Sequence, residues 1–107
     1  MPTVNLYTYN ATVKEIIDGD TIVIVADLGF KVFKELKVRL ARINSPEIAT
    51  PEGKAAKAFL EQNLPIGSQV ILISKSYDKY GRSIGEIICN NININDLMLN
   101  NNYAVKY

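Results

Sequence analysis

Histidine and tryptophan are absent from the 107-residue chain, and cysteine occurs once. Without histidine there is no Cys/His zinc site and no triad built on an imidazole base, which leaves carboxylates, arginines, lysines and tyrosines to carry any chemistry. Cys89 lies alone in the apolar run GEIIC, so it cannot form an internal disulfide and is expected to be a small buried hydrophobe. A surplus of one charge is also missing. Twelve Lys and Arg stand against eleven Asp and Glu, a formal net charge of +1, so composition does not announce a polyanion binder and any such site has to be local. No apolar run approaches the ~20 residues of a membrane helix, and the opening MPTVNLYTYN has neither a basic nor an apolar leader region. A complete chain is therefore expected in the cytoplasm and off the membrane; a trimmed mature chain would be a secreted one.

What is present suits one domain, residues 1–107, whose 48% hydrophobic content is enough for a modest core. Tyr9 to Ile17 reads as a strand, and Thr21 to Ala26 is β-branched at five of six positions, as in a strand covered on both faces. Between them Asp18-Gly19-Asp20 reads as a hairpin turn, with Gly19 expected to supply the positive φ of a primed turn. The next turn is DLGF at 27–30, where Gly29 can take positive φ. In KVFKELKVRLARI, Leu36, Val38 and Leu40 share one face, and Lys37 and Arg39 the other, until Arg42 falls out of phase and ends or bulges the strand. Residues 44 to about 52 read as a loop, because Ser45 precedes a proline. Ala56, Phe59, Leu60 and Leu64 recur at helical spacing until Pro65 and Gly67 stop the helix. Strands at Val70–Ser74 and 83–89 flank a polar turn, DKYGR, at 78–82. A short helix at about 94–102 follows, with Asn93 as N-cap and Asn102 as a left-handed C-cap. This order of five strands and about two helices, mainly β in an α+β chain, is that of a five-stranded OB-fold barrel. The eleven asparagines are read as a compositional habit rather than a site.

Three polar clusters fall at strand ends: DGDT at 18–21, RLARINSPE at 39–47 and DKYGR at 78–82. Each alone is accounted for by a turn. Together, carboxylates, an amide oxygen and two arginines read as a hard-cation site beside an anion clamp, since Asp, Asn and carbonyl oxygens suit Ca²⁺ or Mg²⁺ and paired guanidiniums suit phosphate.

In this order and spacing, over about residues 10–105, the three clusters make the chain resemble the staphylococcal nuclease (thermonuclease) family. The resemblance implies a metal-dependent nuclease that hydrolyses DNA, and by extension RNA, with water as nucleophile, leaving 3′-phosphates. It implies Ca²⁺, or another divalent cation, held by Asp20, Asn44 and the Ser45 carbonyl, with Asp18 behind them. Glu47 would orient or deprotonate the water, Arg39 and Arg82 would hold the phosphate, and Lys79 and Tyr80 would contact substrate. The implied partners are DNA or RNA, with the protein acting as a monomer.

Two departures bear on this. The family carries aspartate where Asn44 stands here, which removes a charge from the cation site and predicts Ca²⁺ binding weaker by about tenfold or more. The family's tyrosine-rich segment that holds the nucleotide base also has no counterpart within these residues, which end at Tyr107. Arg42 reads as no more than a surface or loop charge. The alternative is an OB-fold module that binds single strands or a protein without cutting.

Overall fold

The β-branched run from Thr21 has no polar face to give to water; the fold buries Ile22, Ile24 and Ala26 fully and leaves Val23 and Val25, on the other face, half-buried rather than covered. The computed structural model describes residues 7–107; residues 1–6, on which the reading of the opening stretch partly rests, lie outside that range. In chain order the elements are β1 (Thr8–Asp18), β2 (Thr21–Asp27), β3 (Phe33–Leu40), β4 (Ile43–Asn44), α1 (Pro51–Asn63), β5 (Gln69–Tyr77), β6 (Ser83–Cys89), β7 (Ile92–Asn93), α2 (Ile94–Asn100) and β8 (Val105–Lys106). The long strands run β3-β2-β1-β5-β6, all antiparallel, and a parallel pairing of β3 with β6 closes the circle. The result is the expected mixed α+β fold, a five-stranded closed barrel with two helices, and closure removes the sheet edges.

Alternation decides which side chains fill the barrel. Ile22 and Ile24 from β2, Val38 and Leu40 from β3, Leu72 from β5 and Ile87 from β6 are fully buried. Ala56 and Leu60 of α1 and its C-cap Leu64 join that core, Met98 of α2 does the same, and Phe59 stacks on Tyr103 with ring centroids 4.2 Å apart. Emptying such a position, as in Leu60→Ala, costs about 2–5 kcal/mol. Cys89 is buried as expected. No helix among the described residues is long and apolar enough to cross a membrane.

Three expectations need correction. Gly19 does not adopt positive φ, so the 18–21 turn is not a primed one. A Cβ on Gly19 would stand 2.7 Å from Ser45 Cβ and 2.8 Å from Ala56 Cβ, so the glycine is required for close approach of the 44–47 loop and α1. Arg42 does leave the strand, at φ 69, but it is more than a surface charge: its Nη2 donates to Glu86 at 2.6 Å and to Asp96 at 2.8 Å. Nor are all the asparagines idle. Asn95, fully buried, donates to the Ala41 and Gly85 carbonyls and accepts from Ile87 N–H, tying α2 to β6 and to the turn after Arg39.

Candidate functional site

Cross-strand register assembles the first half of the site. Thr21 lies opposite Arg39, and Leu40 N–H donates to the Asp20 carbonyl at 2.8 Å, so the 18–21 turn sits at the end of β3. Asp20 is buried, and its Oδ2 accepts from Ser45 N–H at 2.9 Å while Thr21 Oγ1 donates to its Oδ1 at 3.1 Å. Arg39 folds over this corner. Its Nη1 donates to the Leu40 and Ile43 carbonyls, each at 2.8 Å, and its Nη2 lies 3.2 Å from Asn44 Oδ1 and 3.4 Å from Asp20 Oδ2. One nitrogen reaches both oxygens, so Asp20 and Asn44 converge.

Asp18 completes the corner, accepting from Asp20 N–H at 3.0 Å. The two carboxyls titrate in opposite directions. Burial, and then the contact with Asp20, raises Asp18. Burial also pushes Asp20 upward, but the hydrogen bond with Asp18, the Ser45 N–H and the Arg39 charge outweigh it and leave Asp20 low. Of the two, Asp18 is the one that takes up a proton first and Asp20 the one that holds its negative charge longer as pH falls. This donor set, two carboxyls and an amide oxygen, is of the kind a hard cation takes. It is short on charge: no group of three His, Cys, Asp or Glu side chains converges among the described residues.

The second half comes from the barrel closure. β3 and β6 pair with Val38 opposite Ser83, which brings the 78–82 turn beside Arg39. Asp78 organises that turn, with Oδ1 accepting from the N–H groups of Tyr80 and Arg82, each at 2.9 Å, and Oδ2 accepting from Arg82 Nε at 2.5 Å. Arg39, Arg82, Lys79, Tyr80 and Tyr107 line one cleft of about 250 Å³. The Arg39 and Arg82 guanidiniums each lie 5.5 Å from a tyrosine ring, those of Tyr107 and Tyr80 respectively.

Glu47 stands apart. It is exposed, and its carboxylate makes no polar contact with the other candidate residues among the described ones. Its backbone is held firmly instead. Thr50 caps α1 by accepting from Gly53 N–H at 3.0 Å and donates its hydroxyl proton to the Glu47 carbonyl at 2.7 Å. A Cβ on Gly53 would fall 1.8 Å from the Glu47 carbonyl oxygen.

The structure thus brings Asp18, Asp20, Arg39, Asn44 and Ser45 into one corner and Arg39, Lys79, Tyr80 and Arg82 into one cleft, with Arg39 in both. Sequence reading missed Gly53, Asn95 and Tyr107. Gly53 sits in a helical run with no local mark of a close approach, and Asn95 and Tyr107 owe their roles to chain distant in sequence.

Comparisons with known proteins point the same way. The family model for staphylococcal nuclease homologues matches residues 37–107. An uncharacterized Bacillus anthracis protein is 36% identical over 109 residues, covering 94% of this chain and 48% of that protein. A staphylococcal-like nuclease of Arabidopsis thaliana is 34% identical over 74 residues, 69% of this chain and 23% of that protein. A probable staphylococcal-like nuclease of Oryza sativa subsp. japonica is 30% identical over 93 residues, 78% of this chain and 28% of that protein. The chain spans at most about half the length of the curated relatives it matches.

Proposed function

The chain belongs to the staphylococcal nuclease family, and on that premise we propose that it is a nuclease that hydrolyses phosphodiester bonds of DNA and RNA with activated water, leaving 3′-phosphates. The observation that carries the reading is the pair Arg39 and Arg82, brought by β3 and by the turn before β6 into one cleft beside a corner of oxygen donors.

Water attacking a phosphodiester adds negative charge to oxygens that are already anionic, so the main gain available to the protein is fixed positive charge. Arg39 is oriented in advance by its contacts to Leu40, Ile43, Asn44 and Asp20. Arg82 is held to Asp78 through Nε, which leaves its terminal nitrogens for two phosphate oxygens. Glu47, exposed on a loop pinned to α1, accepts the proton of the attacking water. Lys79 meets a phosphate and Tyr80 a sugar or phosphate at the cleft wall. Asp20, Asn44 Oδ1 and the Ser45 carbonyl would hold a divalent cation, Ca²⁺ first among them, with Asp18 hydrogen-bonded behind Asp20. When bound, it supplies further positive charge against the phosphate and the attacking oxygen.

The test is an assay of the purified chain on labelled single-stranded DNA and RNA in millimolar Ca²⁺. Expected is cleavage that a chelator abolishes and that falls about a hundredfold or more in Glu47→Gln. Binding without cleavage would instead establish the non-catalytic module, the reading that the missing charge at Asn44 favours. Cleavage indifferent to both treatments overturns the site as assigned.

A further inference from the structure

The seam that closes the barrel places one more cation than the site described so far uses. β3 and β6 run parallel with Val38 opposite Ser83 and Arg39 opposite Ile84, and the residues just before that ladder on its two sides, Lys37 and Arg82, line one hollow. Strand alternation puts Lys37 on the outer face with Arg39, about 7 Å from it along the strand. Arg82 and Tyr80 line two hollows at once. On one side is the cleft with Arg39; on the other is a hollow of about 410 Å³ whose wall also contains Lys37, Asp18 and Thr21. The Tyr80–Arg82 turn is therefore a ridge between two basins.

Lys37 is exposed and, among the described residues, has no carboxylate at ion-pair distance, whereas Lys14 is paired with Glu35 and Lys75 with Glu86. The acid on this hollow, Asp18, accepts from the Asp20 backbone N–H and is not at ion-pair distance from Lys37. An uncommitted ammonium, an arginine with free terminal nitrogens and an exposed tyrosine ring on the ridge form an arrangement that receives a phosphate with a base or sugar beside it.

We propose that the hollow between Lys37 and Arg82 is a second phosphate subsite, taking the phosphate next to the scissile one in a single-stranded nucleic acid. The inference rests on the nuclease reading of the Arg39–Arg82 cleft and specifies its substrate as a chain carrying successive phosphates rather than a lone diester. Lys37 is a specificity residue here: a ligand with one phosphate does not use it, and an oligonucleotide does.

The experiment measures binding of a labelled oligothymidylate to the full chain as a function of salt. It is done in a Glu47→Gln background so that cleavage does not intervene, with thymidine monophosphate as the one-phosphate ligand. Lys37→Gln is expected to weaken oligonucleotide binding several-fold at low salt and to reduce the slope of log K against log salt by about 0.7, one single-strand phosphate contact. Monophosphate binding should be unchanged. Lys37→Arg retains the slope, and Lys34→Gln, which removes the same charge outside the hollow, leaves it intact. An unchanged slope in Lys37→Gln, an equal loss for the monophosphate, or no oligonucleotide binding by the parent overturns the subsite. The two readings separate cleanly: a reduced slope in a chain that cuts nothing keeps the subsite and removes the nuclease, and cutting that ignores Lys37 does the reverse.

Discussion

Two clusters of charge flank the turn at Ala41–Arg42, and they are satisfied to very different degrees. In the first, buried Glu86 accepts from Arg42 at 2.6 Å and Asn93 at 2.9 Å on Oε1 and from Lys75 at 2.6 Å on Oε2, while Arg42 also holds Asp96. Two acids meet two bases, and every partner comes from a different part of the chain. Burial alone would raise the Glu86 carboxyl, but its ion pairs and hydrogen bonds bring it down to about 2. In the second cluster Arg82 has terminal nitrogens to spare, and Lys37 and Lys79 have no acid at ion-pair distance among the described residues. The contrast teaches how a chain of net charge +1 can keep a local polyanion site. Saturated charges anchor the fold, and charges with unused donors are left for a ligand.

Arg82→Ala should open the widest gap between the clusters. It is expected to lower nuclease turnover about a hundredfold or more, close to 3 kcal/mol of transition-state stabilisation, with little change in the urea midpoint. Arg82→Lys should not rescue it, because a point charge does not replace a bidentate fork. A large loss of stability with activity per folded molecule intact would erase the distinction between the two clusters.

Glu86→Gln should behave in the opposite way, costing about 2–3 kcal/mol of stability while the folded fraction keeps its activity. Because the folded carboxyl titrates at about 2, below its ordinary 4.5, its contribution is fully present above about pH 4.5 and is lost as pH falls toward 2. Urea midpoints taken from pH 6 down to 2 should therefore fall less steeply in the variant than in the parent.

Smaller still, at about 2 kcal/mol by denaturant titration, is the expected cost of Gly53→Ala, where a methyl must displace the Glu47 carbonyl. Turnover should drop along with it as Glu47 shifts; turnover that stays level would remove Glu47 from the reaction. Asn44→Asp should have the least effect. It adds a carboxylate beside Arg39 and is expected to tighten Ca²⁺ binding about tenfold, or 1.4 kcal/mol, by calorimetry. Unaltered affinity would mean that Asn44 does not face the cation.

Much of this was legible beforehand because its causes are local. Period-two alternation marked β3 with Lys37 and Arg39 on one face, helical spacing marked α1, and the Arg42 phase break marked the end of the strand, where φ 69 is found. Asn93 caps α2 by accepting from Asp96 N–H, as its position three residues upstream suggested. The DKYGR turn sits between β5 and β6 with Asp78 as its organiser.

The amino-acid order by itself determined the five long strands, the two helices, the three polar turns and the acids and arginines they carry, since side-chain period and turn chemistry act over a few residues; the two-residue strands β4, β7 and β8 were not legible in it. Tertiary structure decided the rest. Gly19 looked like a turn glycine and proved to be a contact glycine, because its constraint is the arrival of Ser45 and Ala56. Arg42 looked like a surface charge until α2 and β6 delivered Asp96 and Glu86 to it. Above all, the closing register of β3 on β6 set Arg39, Arg82 and Lys37 around one ridge. That register depends on how a whole barrel packs its core, a property no short stretch of the chain contains.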